Sequence, residues 1–302
     1  TFMVNTDGGV CLVEFSFPPF STIKEAEEVM LRVVSEYLEI AKRHGIGLMS
    51  YGLQPKTPWY YPDLKTEKQW YRILGHLPFL QMWHNQFHTI AAHQPCIGVS
   101  YEEIIPAVNT LNALGGVTVA LFANSSVGEW EIQKHHEERE FRWARLVDGY
   151  DEKVTRIQGI PRRPFASFRD YLEYNWGVFM PCIARGKNLH VTKELGLISE
   201  FLRGGKMQSF DITDTKPSEI SPVVTDVNDL NQYIWIQSRP RLFLDSKLQI
   251  AELLKAYDEN TVDECIKDHI NNLYVENRNV AGQPFNEIMT APAYFLGLIE
   301  NM

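Results

Sequence analysis

The hydrophobic period of this chain changes abruptly near its beginning, and that change limits the folds open to it. Residues 10–17 (VCLVEFSF) form an apolar run with Glu14 as its one acid, and Pro18-Pro19 stops it. Proline cannot continue a hydrogen-bonded ladder, so this is the pattern of a short strand. From Thr22 the period becomes 3.6. Ala26, Val29, Met30, Val33, Val34, Tyr37, Leu38 and Ala41 mark one helix face, Thr22 and Glu25 form a capping box, and Gly45 ends the run. Further along, the two periods mix without regular strand–helix alternation, and neither G-x-G-x-x-G nor a Walker loop occurs. This argues against a doubly wound nucleotide fold and predicts an α+β domain on an antiparallel sheet.

The rest of the chain reads in the same terms. Ile46 to Leu53 is expected to be a strand ending in a Gln-Pro loop. An aromatic stretch (Trp59, Tyr60, Tyr61, Pro62) and a helical pattern over about 66–90 follow. Cys96 to Ser100 reads as a strand, Glu102 to Leu114 as a helix, and Val117 to Phe122 fits either. Residues 129–145 carry dense mixed charge, and 165–176 is aromatic and helical in pattern. Gly, Ser, Thr, Pro and Asp between about 204 and 232 predict an irregular insertion. Tyr233 to Leu244 is expected to be a strand and about 246–273 a charged helix, with Leu273 to Arg278 and Ile288 to Ile299 closing the chain. With 302 residues, 44% of them hydrophobic, there is enough apolar side chain for one sizeable domain over 1–302.

A formal net charge of −9 argues against a nucleic-acid partner, since there is no surplus of Lys and Arg to displace counterions. The four cysteines lie far apart without a C-x-x-C pair, the pattern of a cytoplasmic protein in a reducing compartment. No run of about 18 apolar residues predicts a membrane span. The oligomeric state is left open, a homo-oligomer included.

Several segments in order carry a resemblance. They are Gly8-Gly9 before Val13-Glu14-Phe15-Ser16 and Pro18-Pro19-Phe20, the helix to Gly45-Ile46-Gly47, and Gly52-Leu53-Gln54-Pro55-Lys56. Further on come Ala120-Leu121-Phe122-Ala123-Asn124-Ser125, Arg139 with Trp143, Asp170-Tyr171-Leu172-Glu173-Tyr174 running to Arg185-Gly186-Lys187, Tyr274-Val275-Glu276-Asn277-Arg278 and Pro292-Ala293-Tyr294-Phe295. Together they resemble the glutamate–cysteine ligase family, its plant-type members and their bacterial carboxylate–amine ligase relatives. The resemblance implies a glutamine-synthetase-type fold, an antiparallel sheet bowl with surrounding helices that holds ATP and Mg2+ at one end. It also implies a preceding strand with paired glutamates, before Thr1, and amino-acid substrates: a glutamate-like carboxylate, phosphorylated by ATP, and an amine such as that of cysteine.

Phosphoryl transfer onto a carboxylate brings anions together, so it calls for hard oxygen ligands to a divalent cation and for positive donors. By resemblance Glu14 is a Mg2+ ligand; the competing reading is a carboxylate on the solvent face of an edge strand. Cys96 stands where relatives have His or Asn, a metal position filled by a poor ligand, or else is a small buried hydrophobe. Arg139 matches an arginine gripping a substrate carboxylate, although the charges of Glu137-Glu138-Arg139-Glu140 equally suit a solvated helix face. Arg278, beside Glu276, is the candidate for contacting phosphates, and Arg185 for an amino-acid carboxylate. Gln54, Asn124 and Trp143 match positions near substrate, or are loop, cap and core. His84 and His88 share a helix spacing but lack the glutamate a zinc peptidase needs, because Asn85 stands there.

Two readings follow, an active ligase and a diverged non-catalytic protein that keeps the fold. Cys96 and Ala281, which stands where the family has an acid, favour the second.

Overall fold

A computed structural model describes residues 2–9, 11–56, 89–145, 147–180, 182–185, 188–191, 196–211 and 216–302. His84, His88, the aromatic stretch and nearly all of the helix expected over 66–90 lie outside the described residues. Helices and small, mainly antiparallel sheets make up an α+β chain. Among the described residues no single helix is long and apolar enough to cross a membrane.

The first period change appears as a hairpin, Met3–Thr6 against Val13–Ser16, followed by the helix Ile23–Arg43. The Thr22 side chain accepts the Glu25 N–H (3.1 Å), the first half of the capping box, while Glu25 Oε2 reaches one residue further back and accepts the Ser21 N–H (3.1 Å). Phe15 meets Tyr37 edge-on at 5.2 Å, which seats the hairpin against that helix.

The central sheet has three antiparallel strands in the order Ser238–Leu244, Ile270–Asn277, Cys96–Gly98. Strand alternation divides it into two faces. Leu242, Val275 and Ile97 point inward, where the helix Tyr101–Ala113 packs; Ile104, Ala107, Val108 and Leu111 of that helix are buried in the same core. Asn112 clamps the start of the first strand, giving Nδ2 to Ser238 O (2.9 Å) and accepting the Ser238 N–H at Oδ1 (3.0 Å). A buried amide satisfied from both sides costs little and fixes where that strand begins.

Several expectations change here. Ile46 to Leu53 is not a strand: only the isolated bridge Leu53↔Ile90 forms, and Ile46 and Met49 stay exposed. Val117 to Phe122 resolves into the helix Gly115–Leu121. The stretch 204–232 holds regular elements, because its polar residues are accommodated on strands that pair with one another: Ser209 Oγ meets Ser218 Oγ at 2.9 Å across the pair. Met207–Asp211 and Pro217–Ile220 extend a four-stranded antiparallel sheet with Asn188–Val191 and Ile183–Arg185, and the helix Val224–Asn231 follows. The long charged helix is two, Ile250–Asp258 and Val262–His269, parted at Asn260, whose φ of 60° interrupts the helix.

Candidate functional site

The outer face of the central sheet is cationic. Register sets Cys96 beside Glu276 and Glu276 beside Arg239 across the three strands, with Arg241 opposite Tyr274 one step along. Arg239 is buried. It gives Nε and Nη2 to the Glu276 carboxylate (2.9–3.1 Å) and Nη1 to the carbonyls of Gln232 (2.7 Å) and Ile234. Arg241 Nη1 reaches Glu276 Oε2 at 2.7 Å and Arg278 Nη1 reaches Oε1 at 2.6 Å. Three guanidiniums therefore share one carboxylate. Burial opposes ionisation of Glu276, but Arg239, Arg278 and Arg241 outweigh it and hold the carboxyl far below the usual range. Arg239 is pulled down to about 10 by burial and by the other two arginines, against Glu276. Arg278 Nε is buried without a hydrogen-bond partner.

Cys96 opens onto this face with Gly98 and Ser100, whereas Ile97 and Val99 turn to the core, so it is not a small buried hydrophobe. The protein packed around its base, and Glu276 beside it, push the thiol up to about 12.

Behind the end of the same sheet lies an open cavity of ≈ 430 Å³. The helix Glu138–Arg145 forms one wall, and Glu137, Glu140, Phe141, Trp143, His135 and Gln237 line it. Arg139 is buried between the acids, with Nη1 on Glu140 and 3.7 Å from Glu137, and Nη2 on the Arg278 carbonyl (2.5 Å). It is not on a solvated face. Glu137 is buried as well; its Oε2 accepts the Asn124 N–H (3.0 Å), and its Oε1 accepts no hydrogen bond. Burial pushes the Glu137 carboxyl up, against Arg139 and the Asn124 and Ser125 hydrogen bonds. Gln237 gives Nε2 to Glu140 (3.4 Å) and accepts at Oε1 from Asn279 (3.2 Å). A Cβ at Gly115 would overlap Gln237 Oε1, so a glycine there leaves room for that amide.

The other candidates scatter. Asn124 Nδ2 ties Ser50 O (3.2 Å) to Gly282 O (2.6 Å), and its backbone meets Glu137, so it braces the cavity from behind. Trp143 lines the cavity and packs 6.0 Å from Trp235. Gln54 sits in its loop, accepting the Lys56 N–H at 3.2 Å. Arg185 places its fork on Asp226 (Nη2 to Oδ2, 2.8 Å) and on Ser221 O, in the four-stranded sheet. Glu14 pairs with Asn5 in the hairpin, half-buried. Among the described residues no group of three or more His, Cys, Asp or Glu could hold a metal ion, so Glu14 and Cys96 are not joined in a ligand set.

Arg239, Arg241, Glu137 and Glu140 are additions to the sequence reading. Arg239-Pro240-Arg241 carried a signal: two arginines two apart in an apolar strand must share one face, the face that Glu276 shares with Tyr274. Glu137 had no such signal, since its burial depends on the loop at Asn124.

The sequence model of the family described as Glutamate-cysteine ligase family 2 (GCS2) matches residues 4–163, just over half of the chain. That span holds Glu14, Gln54, Cys96, Asn124, Arg139 and Trp143, and it ends before Arg185, Glu276 and Arg278. No curated protein matches the chain.

Proposed function

The chain belongs to glutamate–cysteine ligase family 2, and from that premise we propose that it is an ATP-dependent carboxylate–amine ligase that forms an amide of γ-glutamyl type through an acyl phosphate. In this reading the three-stranded sheet is one wall of a glutamine-synthetase-type bowl, and its cationic face is the phosphate end.

The observation that carries it is the three guanidiniums gathered on Glu276. One carboxylate neutralises one of them, so the cluster keeps an excess of two positive charges. Folding tolerates such an excess at a cost, and an anionic ligand offsets it. Arg239 is spent on the protein, buried against two carbonyls. Arg241 and the unpartnered Nε of Arg278 are the donors with capacity to spare. They would take phosphate oxygens and stabilise the charge that builds as the γ-phosphoryl moves from ATP to the donor carboxylate, leaving ADP. The amine nitrogen then attacks the acyl carbon, the C–O bond to phosphate breaks, inorganic phosphate leaves and the nitrogen loses a proton. The described residues do not supply a Mg2+ ligand set, and no step here is routed through the metal.

The test is ADP release from Mg-ATP with glutamate and a panel of amines, with a melting shift on Mg-ATP alone as the binding control. Amine-dependent ADP release that falls in Arg278→Ala and Arg241→Ala supports the reading. The absence of both ADP release and a melting shift would overturn it. A shift without turnover would favour the diverged, non-catalytic reading.

A further inference from the structure

We propose that the cavity beside the helix Glu138–Arg145 binds a monovalent organic ammonium that carries no carboxylate; on the ligase reading, on which that role rests, this is the acceptor amine, a simple alkylamine and not an α-amino acid such as cysteine. Two carboxylates, Glu137 and Glu140, face one guanidinium, Arg139, and no Lys or Arg is among the described residues lining the cavity. The balance is one negative charge, and one ammonium completes it. Glu137 adds a second observation: it is buried, and its Oε1, 3.7 Å from Arg139 Nη1 and so beyond hydrogen-bond reach of it, accepts no hydrogen bond. A buried carboxylate oxygen left without a donor is costly, so a donor from a bound ligand is the natural partner.

The walls fit the rest of such a molecule. Trp143 offers aromatic surface to a short alkyl chain, beside Phe141, whose ring is stacked on His135 at 3.9 Å and carries the Arg145 guanidinium 5.5 Å from its centroid. His135 is not a ready counter-charge, because its Nδ1 is 3.0 Å from Glu138 Oε2. Among the described residues that line the cavity, no Lys or Arg would partner a carboxylate on the ligand. Arg139, the donor that could grip it, is committed to Glu140, Glu137 and the Arg278 carbonyl. The Arg278 backbone also gives its N–H to Gln237 O at 2.8 Å, so cavity and cationic face share one residue and stand side by side. An amine in the cavity would lie next to an acyl group formed on that face.

The experiment is isothermal titration of the full chain, without nucleotide, with n-butylamine, its neutral counterpart n-butanol, L-alanine and L-cysteine. Saturable binding of n-butylamine, at least about tenfold tighter than the other three, is expected from one desolvated charge pair. Ala144→Leu, which adds bulk to the wall without changing charge, should weaken it about tenfold while melting and circular dichroism stay near wild type, and Glu140→Gln, which keeps a partner for Gln237 but takes from buried Arg139 its nearest carboxylate, should weaken it about tenfold with a lowered melting temperature and an unchanged circular dichroism spectrum. L-cysteine binding as tightly as n-butylamine, no saturable n-butylamine binding, or affinity unchanged in both variants would overturn the proposal. ADP release is read separately. Selective n-butylamine binding with no turnover on any carboxylate supports the cation site and removes the ligase reading, whereas cysteine-dependent turnover with no n-butylamine binding does the reverse.

Discussion

The cationic face and the acidic cavity are built from the same ions in opposite proportion. On the face, Arg239, Arg241 and Arg278 surround Glu276; in the cavity, Glu137 and Glu140 surround Arg139. The outcome for the carboxylates differs. Glu276 is held far below its ordinary range despite burial, because three charges favour its anion, whereas burial lifts Glu137, which has one guanidinium at 3.7 Å. Burial alone therefore does not decide the state of a carboxylate; the count of guanidiniums around it does. Arg278 joins the two regions, with its side chain on the face and its carbonyl under Arg139. A site that is positive on one side of a strand end and negative on the other suits an anion and a cation that must meet.

Breaking the face at its centre should have the largest effect. Glu276→Ala leaves Arg239 buried without its carboxylate and three guanidiniums repelling one another. Loss of one partner from a buried ion cluster costs about 3–5 kcal/mol, so the variant should be marginally folded by denaturant titration. A loss below about 1 kcal/mol would mean that the cluster is solvated and the contrast is void. Removing Arg278 spares the fold more and the ligand less. Arg278→Ala should weaken Mg-ATP by about 2 kcal/mol, a charge-assisted contact, while n-butylamine binding falls far less. Equal losses would show that the two regions are not separable.

The two carboxylates should also respond to pH with opposite sign. Glu276 is depressed, so its contribution is present above the unfolded carboxylate range and fades as pH falls toward its folded value. Glu137 is raised, so the folded chain favours its protonated form; that contribution is full below the unfolded pKa of about 4.3 and lost as pH rises through the folded one. Glu137→Gln should therefore gain on wild type in stability as pH rises from 4 to 7. A stability difference flat in pH would remove the raised state of Glu137 from the account.

The sequence exposed this contrast unevenly. The strand at Val13, the Thr22 cap and the strands at Cys96 and Ser238 were legible because period and capping are local, whereas the strand Ile270–Asn277 was legible only from Leu273, its first residues reading as part of the charged helix. The resemblance led to Arg139, Trp143, Glu276 and Arg278, and the structure gathers them around one strand end. The burial of Glu137 and the pairing of Arg185 with Asp226 were not legible, because both depend on contacts between residues far apart in the chain. Residues 46–53 misled for a related reason. An apolar run becomes a strand only where a partner edge is offered, and here just one bridge forms.

Cys96 gives the smallest expected effect and tests which way the face looks. If it were a core residue, Cys96→Asn would bury an amide without partners and cost about 1–3 kcal/mol. Alternation directs Ile97 and Val99 inward and Cys96 outward beside Glu276, so the amide would find solvent or the guanidiniums, and melting should move by no more than about 0.5 kcal/mol equivalent. Exposure alone would also predict a reactive thiol. The packing around the sulfur predicts the reverse: desolvation, and after it Glu276, push the thiol up to about 12 against the three arginines, so the thiolate is scarce at neutral pH and iodoacetamide should modify Cys96 slowly. Peptide mapping after timed alkylation at pH 7.5 separates the cases. Rapid modification would mean that the arginines, which pull the thiol down, outweigh Glu276 and the packing around Cys96, and that the face is more strongly positive than a cluster centred on one carboxylate allows.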